Sequence, residues 1–162
     1  MKILVNNYKV NIRTGGYNLN KDKKPTLLLI HGAGMDGTVW QMQTRYLANK
    51  GINVLAVDLP GHGLSEGPSL KSISEMSHWV IKLLDFLNIN SVVIAGHSMG
   101  SLISIETAKN DKSRVKSIIL LGTASLMPVH PDLIKAAEND LSIAANLITD
   151  WSLGKTQHIG NN

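Results

Sequence analysis

The feature that most constrains the fold is an alternation of continuous apolar runs with amphipathic stretches between residues 26 and 121. Continuous apolar runs of about five residues are typical of strands buried on both faces. Four such strands are predicted, at Thr26–Ile30, Asn53–Val57, Ser91–Ala95 and Lys116–Leu121. The helices predicted between them cover about 38–50, 73–87 and 99–109. Repeated strand–helix units predict an α/β fold with a parallel sheet and right-handed crossovers.

The two ends of the chain differ from this middle part. Lys2–Val5 and Tyr8–Arg13 predict two short strands joined by Asn6-Asn7, a pair that tolerates the backbone of a tight antiparallel hairpin. Beyond residue 122 the pattern becomes helical, with Pro131 at a first helical position and a second helix from about Leu141. We therefore expect a core over residues 1–122 and a helical segment over residues 123–162.

Composition narrows the range of partners and cofactors. The net charge is +4, but the densest basic cluster, Lys21, Lys23 and Lys24, is interrupted by Asp22, and aromatic residues make up 4% of the chain. A nucleic-acid surface needs a denser basic patch with aromatic side chains, so no nucleic-acid partner is expected. The absence of cysteine excludes disulfides and thiolate metal sites. No apolar stretch is long enough for a membrane span or a signal peptide, so a cytoplasmic protein without membrane contact is expected.

The strongest chemical motif is Gly96-His97-Ser98-Met99-Gly100, a G-x-S-x-G sequence. It follows a predicted buried strand directly and opens a predicted helix directly. Such a context places a serine on a sharp strained turn, with its hydroxyl projecting above the sheet. Small residues on both sides let the strand and the helix approach closely. The alternative is an ordinary strand–turn–helix with a surface serine.

A second motif, His31-Gly32-Ala33-Gly34, follows the first buried strand. One interpretation is a loop whose backbone N–H groups face a reacting group. The alternative is a glycine-rich phosphate loop, but the spacing matches neither of the usual phosphate-binding patterns.

The segments HGAG, DLPGHGLS and GHSMG, in this order, resemble the α/β-hydrolase superfamily, and most of all its cap-bearing bacterial esterase-like and carbon–carbon-bond hydrolase members. The resemblance covers residues 1 to about 122 closely and the helical tail more loosely. It implies a mostly parallel sheet with an antiparallel hairpin at its start, and a partial helical cap over residues 123–162.

The resemblance also implies roles for individual residues. Ser98 is the implied nucleophile, and the backbone amides of Ala33 and Met99 form the implied oxyanion hole. The residues expected to contact the substrate are His31, Gly32, Gly34, His97 and Trp151. A serine at this position indicates acyl transfer on an ester, thioester or related small molecule, with no cofactor and no metal.

The resemblance implies a triad in the order serine, acid, histidine, with the acid after a seventh strand and the histidine after an eighth. Only six strands are predicted here. The acidic residues of the tail, such as Asp132 and Asp140, are better explained by positions near helix starts. The sequence is therefore expected to carry the nucleophile half of a hydrolase and to end before its triad partners.

Two other hypotheses stay open. The chain can be a non-catalytic binding or partner module that keeps the first half of the fold, or an obligate partner that receives its histidine from another chain. In each case Ser117–Leu121 is predicted to form an exposed apolar sheet edge, and hence to promote self-association.

Overall fold

A computed structural model describes residues 1–19 and 25–152, in which there are six strands and five helices. The strands are β1 (Lys2–Val5), β2 (Tyr8–Arg13), β3 (Thr26–Ile30), β4 (Asn53–Val57), β5 (Val92–His97) and β6 (Val115–Leu121). The helices are α1 (Gln41–Asn49), α2 (Ile73–Phe86), α3 (Met99–Asn110), α4 (Pro131–Asn139) and α5 (Leu141–Ser152), with a 3₁₀ turn at Gly37–Trp40 before α1. The chain divides into two compact units, Met1–Thr123 and Ala124–Asn162.

The six strands form one sheet in the order β1-β2-β4-β3-β5-β6. β4, β3, β5 and β6 are parallel, whereas β1 and β2 pair antiparallel, so the predicted fold class is confirmed. Ile30 at the end of β3 pairs with Val57 on one side and with Gly96 on the other. The carboxyl ends of three central strands are therefore level, and the loops that follow them meet at one edge of the sheet.

The hairpin at the start of the chain turns at Asn6 and Asn7, whose φ angles are +49° and +67°. Two successive residues with positive φ are what a two-residue hairpin turn requires, and asparagine adopts this conformation more readily than most residues. The predicted hairpin is confirmed, with Val5 paired to Tyr8.

Both faces of the central sheet are covered, which explains why its strands are apolar without interruption. On one face, Leu28 of β3 belongs to the larger core cluster together with Leu84 of α2 and Ile103 of α3. On the other face, the neighbouring Leu29 packs in a smaller cluster with Trp40. Alternate side chains of a strand point to opposite faces, so a doubly covered strand must be apolar at every position.

Strand β6 differs because it lies at the edge of the sheet. The apolar side chains near its end are exposed: Ile119 by 48%, Leu120 by 40% and Leu121 by 39%. An apolar strand edge with free backbone groups is a template for pairing with another chain. The predicted exposed edge over Ser117–Leu121 is thus present in the structure.

The main differences from prediction are two element boundaries and the burial of one residue. The helix expected at 38–50 begins as the 3₁₀ turn, because the Asp36 carboxylate accepts a hydrogen bond from the N–H of Thr38 at 2.6 Å and starts the turn there. Strand β5 continues to His97, since its pairing with Leu121 extends the ladder by two residues. Leu83 of α2 is fully buried, which the sequence analysis did not predict, because α2 packs against α3 as well as against the core.

The second unit contains a pair of packed helices, as predicted for the described part of the tail. Pro131 occupies the first turn of α4, and the His130 side chain accepts a hydrogen bond from the N–H of Asp132 at 3.2 Å. The Asp140 carboxylate accepts from the N–H of Ser142 at 2.8 Å at the start of α5. Both aspartates therefore lie at helix starts, as predicted.

Candidate active site

Ser98 lies between the last residue of β5 and the first residue of α3, with φ +52° and ψ −116°. A residue with a Cβ rarely adopts this backbone conformation, because the side chain crowds the adjacent carbonyl group. The predicted sharp turn between strand and helix is confirmed. The surrounding structure imposes a strained turn on this serine.

Gly96 and Gly100 make the turn sterically feasible. A Cβ on Gly96 would lie 2.1 Å from the backbone oxygen of Gly100, and a Cβ on Gly100 would lie 2.3 Å from the backbone oxygen of Ile30. Backbone atoms cannot give way at such distances as a flexible side chain can. The start of α3 therefore packs against both β5 and the end of β3 only because two side chains are absent.

The Ser98 hydroxyl is left without a partner by this geometry. A serine before a helix normally accepts a hydrogen bond from the second or third helical N–H, as Ser72 does from Glu75 at 3.1 Å. Ser98 makes no such bond, and its Oγ has no hydrogen-bond partner in the part of the chain that the structure describes. A half-buried hydroxyl at the N-terminus of a helix is thus left free to react or to bind.

Hydrogen bonds that involve Leu121 and Ser101 hold the backbone around Ser98 in place. Its N–H donates to the carbonyl oxygen of Leu121 at 2.9 Å. The fully buried Ser101 donates its hydroxyl to the carbonyls of Gly96 at 2.7 Å and of Leu121 at 3.1 Å. Sequence reasoning missed Ser101, although a hydroxyl residue directly after the G-x-S-x-G motif, one helical turn from Ser98, would have indicated it.

The loop after β3 turns beside this site. Met35 donates its N–H to the carbonyl of Gly32 at 3.4 Å, and Gly34 has φ +68° as the third residue of that turn. Ala33 is exposed at the second position. Among the described residues, the backbone N–H groups of Ala33 and Met99 have no hydrogen-bond acceptor. Two unoccupied donors thus follow β3 and β5 at this edge of the sheet, one in a loop and one at the first residue of α3.

The imidazole of His97 fills the space between two glycines. A Cβ on Gly32 would lie 3.0 Å from its Nδ1, and a Cβ on Gly122 would lie 3.3 Å from its Nε2. The ring therefore separates the loop after β3 from the turn after β6, directly beside Ser98. The structure brings His97 and Gly32 together, whereas their predicted contact with a substrate stays a prediction.

His31 is fully buried at the start of the loop. Its Nδ1 donates to the carbonyl of Gly32 at 2.8 Å and its Nε2 accepts from the N–H of Leu59 at 3.1 Å, which selects one neutral tautomer. Desolvation by burial lowers the pKa of His31 below its usual value of 6.5, and the nearby His62 adds to this effect. A neutral His31 thus connects the loop after β3 to the loop after β4.

The fully buried Asp58 organises the loop after β4, and sequence reasoning missed it. One of its carboxylate oxygens accepts from the Arg13 guanidinium and from the N–H of Gly37 at 2.8 Å. The other accepts from the Asn11 amide and from the N–H of Leu64, both at 2.9 Å. The signal in the sequence was an acid directly after a buried apolar strand, where only a fully bonded carboxylate is tolerated.

The remaining histidines of the first unit are engaged elsewhere. His62 donates from Nδ1 to the carbonyl of Pro60 at 3.0 Å, and the exposed His78 donates to the carbonyl of Ser74 at 2.7 Å. No described histidine of this unit hydrogen-bonds to the Ser98 hydroxyl. The structure therefore shows no serine–histidine pair among these residues.

Trp151, predicted to contact the substrate, lies in α5 and is 50% exposed. Its ring meets that of His130 edge to face, with 5.0 Å between centroids. His158, the other histidine of the tail, lies outside the described residues.

Over residues 1–19 and 25–152 there is no group of three or more acidic or histidine side chains placed to hold a metal ion. None of the helices in this same part of the chain is long and apolar enough to cross a membrane.

Comparison with known proteins gives one consistent result. The family of the alpha/beta hydrolase fold matches residues 25–148. A solved structure of an enol-lactonase from Burkholderia xenovorans superposes with a TM-score of 0.78 at 26% sequence identity, covering 91% of this chain and 58% of that one.

Two curated relatives have hydrolytic activities in their names. The (E)-2-((N-methylformamido)methylene)succinate hydrolase of Acinetobacter baylyi is 36% identical over 112 residues, which are 68% of this chain and 42% of that protein. The pimeloyl-[acyl-carrier protein] methyl ester esterase of Aromatoleum aromaticum is 32% identical over 130 residues, which are 79% of this chain and 48% of that protein. The chain thus spans less than half the length of these two relatives.

Proposed function

Since the chain belongs to the alpha/beta hydrolase fold family, we propose that it supplies the nucleophile of a serine hydrolase that acts through an acyl-serine intermediate. One observation carries the proposal: the Ser98 hydroxyl has no hydrogen-bond partner among the described residues, at a strained turn that opens helix α3. Strain of this kind persists where the surrounding structure over-determines it, and it is concentrated at functional sites. Ser98 is the residue that attacks the carbonyl carbon.

The oxyanion formed in that attack is held by backbone amides. In this proposal the N–H groups of Ala33 and Met99 donate to it, because both are unoccupied, one in the loop after β3 and the other at the first residue of α3. The N-terminus of α3 adds a favourable partial positive charge. Fixed donors of this type are typically worth about 2.7–4 kcal/mol each to the transition state.

The substrate is proposed to be a small carboxylic ester or a related acyl compound. The names of the esterase and of the enol-lactonase both indicate ester chemistry in the relatives. In this proposal the residues that surround the reacting carbonyl are His97, Gly32 and Gly34. We place this chemistry in the cytoplasm, with no cofactor or metal taking part.

A base must remove the proton of the Ser98 hydroxyl, because a neutral serine is a poor nucleophile. The described histidines of the first unit do not bond to it, and the matched residues cover only 42% and 48% of the two relatives. We therefore propose that the acid and the histidine of the triad come from residues outside 1–162. Little turnover is then expected from the 162-residue chain.

The test is labelling with a fluorophosphonate probe and hydrolysis of p-nitrophenyl acetate, each repeated in Ser98→Ala. Ser91→Ala is the matched control, since Ser91 is an exposed serine directly before strand β5. Slow labelling that disappears only in Ser98→Ala supports the nucleophile. A chain extended with a family C-terminal half is expected to gain activity by about 10⁴-fold or more.

A non-catalytic binding module is the alternative, and the same absence of a described serine–histidine pair favours it. It predicts that no extension restores turnover, and that an acyl compound binds equally well to the wild type and to Ser98→Ala. Fast turnover by residues 1–162 that is lost in Ser98→Ala would contradict both the base outside these residues and the binding-module alternative. A histidine of this chain would then have to act as the base.

We also propose that the β6 edge mediates association. Ile119, Leu120 and Leu121 are exposed on a strand whose outer edge has no paired strand among the described residues. Ile119→Lys is expected to reduce association measured by light scattering, because edge charges oppose strand pairing. The control is Val39→Lys, an exposed apolar residue in the 3₁₀ turn away from that edge. A wild-type chain that remains monomeric at high concentration would contradict this proposal.

A further inference from the structure

A cavity lies at the opposite edge of the sheet from β6. It measures about 370 Å³ and is bounded by the β1–β2 hairpin, by the loop between residues 60 and 70, and by one face of α2. Its lining contains no residue of the 31–34 loop or of the 96–101 segment. Since β1 and β2 lie at one end of the strand order and β5 and β6 at the other, this cavity is separate from the Ser98 site.

The rim of this hairpin pocket is fixed by several bonds. The Glu66 carboxylate accepts from the backbone N–H and from the ammonium group of Lys9, both at 3.0 Å, and the N–H of Glu66 donates to the carbonyl of Lys9 at 2.8 Å. Beside the Lys9–Glu66 pair the ring of Tyr8 lies against Gly67, where a Cβ would be only 3.2 Å from the ring. Gly67 has φ +95°, which favours glycine. The opening is therefore held in place.

The interior of the hairpin pocket is largely apolar. Val10 and Trp79 face it from β2 and α2, and Pro60, Pro68 and Leu70 complete the wall. Its volume is in the range of small-molecule sites, which are typically apolar with a few polar groups that orient the ligand. The lining therefore suits a small ligand whose main part is apolar.

The polar groups around the pocket differ in what they already bind. Glu66 is paired with Lys9, and hydrogen bonds from Lys9 lower the pKa of Glu66, so this carboxylate stays ionised and occupied. Glu75 accepts from the N–H of Lys71 at 2.9 Å in the cap of α2, and His78 donates to the carbonyl of Ser74. The ammonium group of Lys82 has no hydrogen bond or ion pair with any described residue.

We propose that the hairpin pocket binds a small apolar carboxylate, with the apolar body against Trp79 and the carboxylate at the Lys82 ammonium. Lys82 is the one lysine or arginine among the described lining residues, and its ammonium group has no hydrogen bond or ion pair with any described residue. An ammonium group pairs with a carboxylate as a point charge, so it orients the head of such a ligand without restricting the shape of the body. This proposal is independent of the proposed hydrolase function.

The test is a titration of the ¹⁵N-labelled 162-residue protein with sodium octanoate and with neutral octanamide, followed by two-dimensional NMR. Octanoate is expected to shift the Trp79 indole and Gly67 amide signals in a saturable way. Lys82→Gln is expected to weaken octanoate binding about fivefold, the size of an exposed charge pair, and to leave octanamide binding unchanged. Lys112→Gln, an exposed lysine between α3 and β6, is the matched control.

Two further variants separate the sites. Pro68→Trp is expected to fill the pocket and abolish binding of both probes, and Ser98→Ala is expected to change neither. The proposal is wrong if about 10 mM octanoate gives no saturable shift at Trp79, since even a millimolar ligand would then occupy most sites. It is also wrong if Lys82→Gln weakens both probes equally, or if the shifts map to residues 31–34 and 97–99. The last result would assign the acid to the Ser98 site and leave the hydrolase proposal standing.

Discussion

The loops that follow β4 and β5 lie at the same edge of the sheet, but they differ in whether their polar side chains are hydrogen-bonded. After β4, the buried Asp58 carboxylate accepts four hydrogen bonds, from Asn11, Arg13, Gly37 and Leu64. After β5, the Ser98 hydroxyl has no partner among the described residues. One loop uses its polar groups to hold the structure together, and the other keeps them available.

The contrast separates two roles that look similar in sequence. Asp58 and Ser98 are both polar residues that follow a buried strand, and both belong to a glycine-containing motif. A carboxylate that is buried and fully bonded has no free lone pair with which to orient a histidine. Asp58 is therefore a structural acid.

The largest expected effect comes from Asp58→Ala. Removing this carboxylate leaves Arg13 and three other donors without their acceptor in a buried site, which typically costs about 3–5 kcal/mol. We expect a loss of that size in the free energy of unfolding from urea titration, or a failure to fold. Asp85→Ala, which breaks a pair with Arg114 at a side chain that is 58% exposed, is the control and should cost less than about 1 kcal/mol. Equal losses of stability in the two variants would show that the buried Asp58 carboxylate contributes no more than an exposed ion pair.

Gly100→Ala tests the packing beneath Ser98. The added methyl would lie 2.3 Å from the backbone oxygen of Ile30, so the start of α3 must shift. Overpacking of this kind costs about 1–3 kcal/mol, and we expect the Ser98 turn to lose its geometry and its fluorophosphonate labelling. Ile105→Ala, on the exposed side of the same helix, should change neither. Unchanged stability with retained labelling would show that the close approach is not required.

His31 should make the connection between the loops after β3 and β4 sensitive to acid. Burial lowers its pKa in the folded state below 6.5, so below that pH the unfolded chain binds a proton that the folded protein refuses. Stability is then lost as the pH falls through 6.5, with a slope that cannot exceed about 1.4 kcal/mol per pH unit for one proton. The loss stops once the pH is below the folded pKa.

The measurement is urea unfolding at several values from pH 7.5 to pH 5. His31→Gln should be less stable than the wild type at neutral pH but should lack this part of the pH dependence. His78→Gln, at an exposed histidine, should retain it. Parallel curves for the wild type and His31→Gln would contradict a neutral buried His31.

The smallest expected effect has the opposite sign. Ser98→Gly should relieve the strain of φ +52°, which costs a residue with a Cβ about 1–3 kcal/mol, against about 0.5–1 kcal/mol for the greater freedom of glycine in the unfolded chain. We expect a gain of about 1 kcal/mol and complete loss of labelling. Ser104→Gly, inside α3, should instead destabilise the protein. A destabilised Ser98→Gly would show that the turn is not strained.

Much of the fold could be predicted because local patterns were strong. The continuous apolar runs at Thr26–Ile30 and Asn53–Val57 have the same bounds in the structure, since strands covered on both faces leave a clear pattern. The Ser98 turn could be predicted as well, because glycines on both sides of one serine, between a strand and a helix, are explained by few other structures. The extension of β5 to His97 could not, because strand length there depends on the partner residue Leu121.

The sequence was enough to establish the order of strands and helices, the turn at Ser98 and the glycines that permit it, because each depends on residues adjacent in the chain. The saturation of Asp58, the burial of Ser101 and the position of the His97 ring between Gly32 and Gly122 became visible only after folding. Each depends on groups tens of residues apart, such as Asn11 with Asp58, whose proximity is set by strand order and register. Hydrogen-bond saturation and steric contact are properties of neighbours in space, and a linear pattern does not contain them.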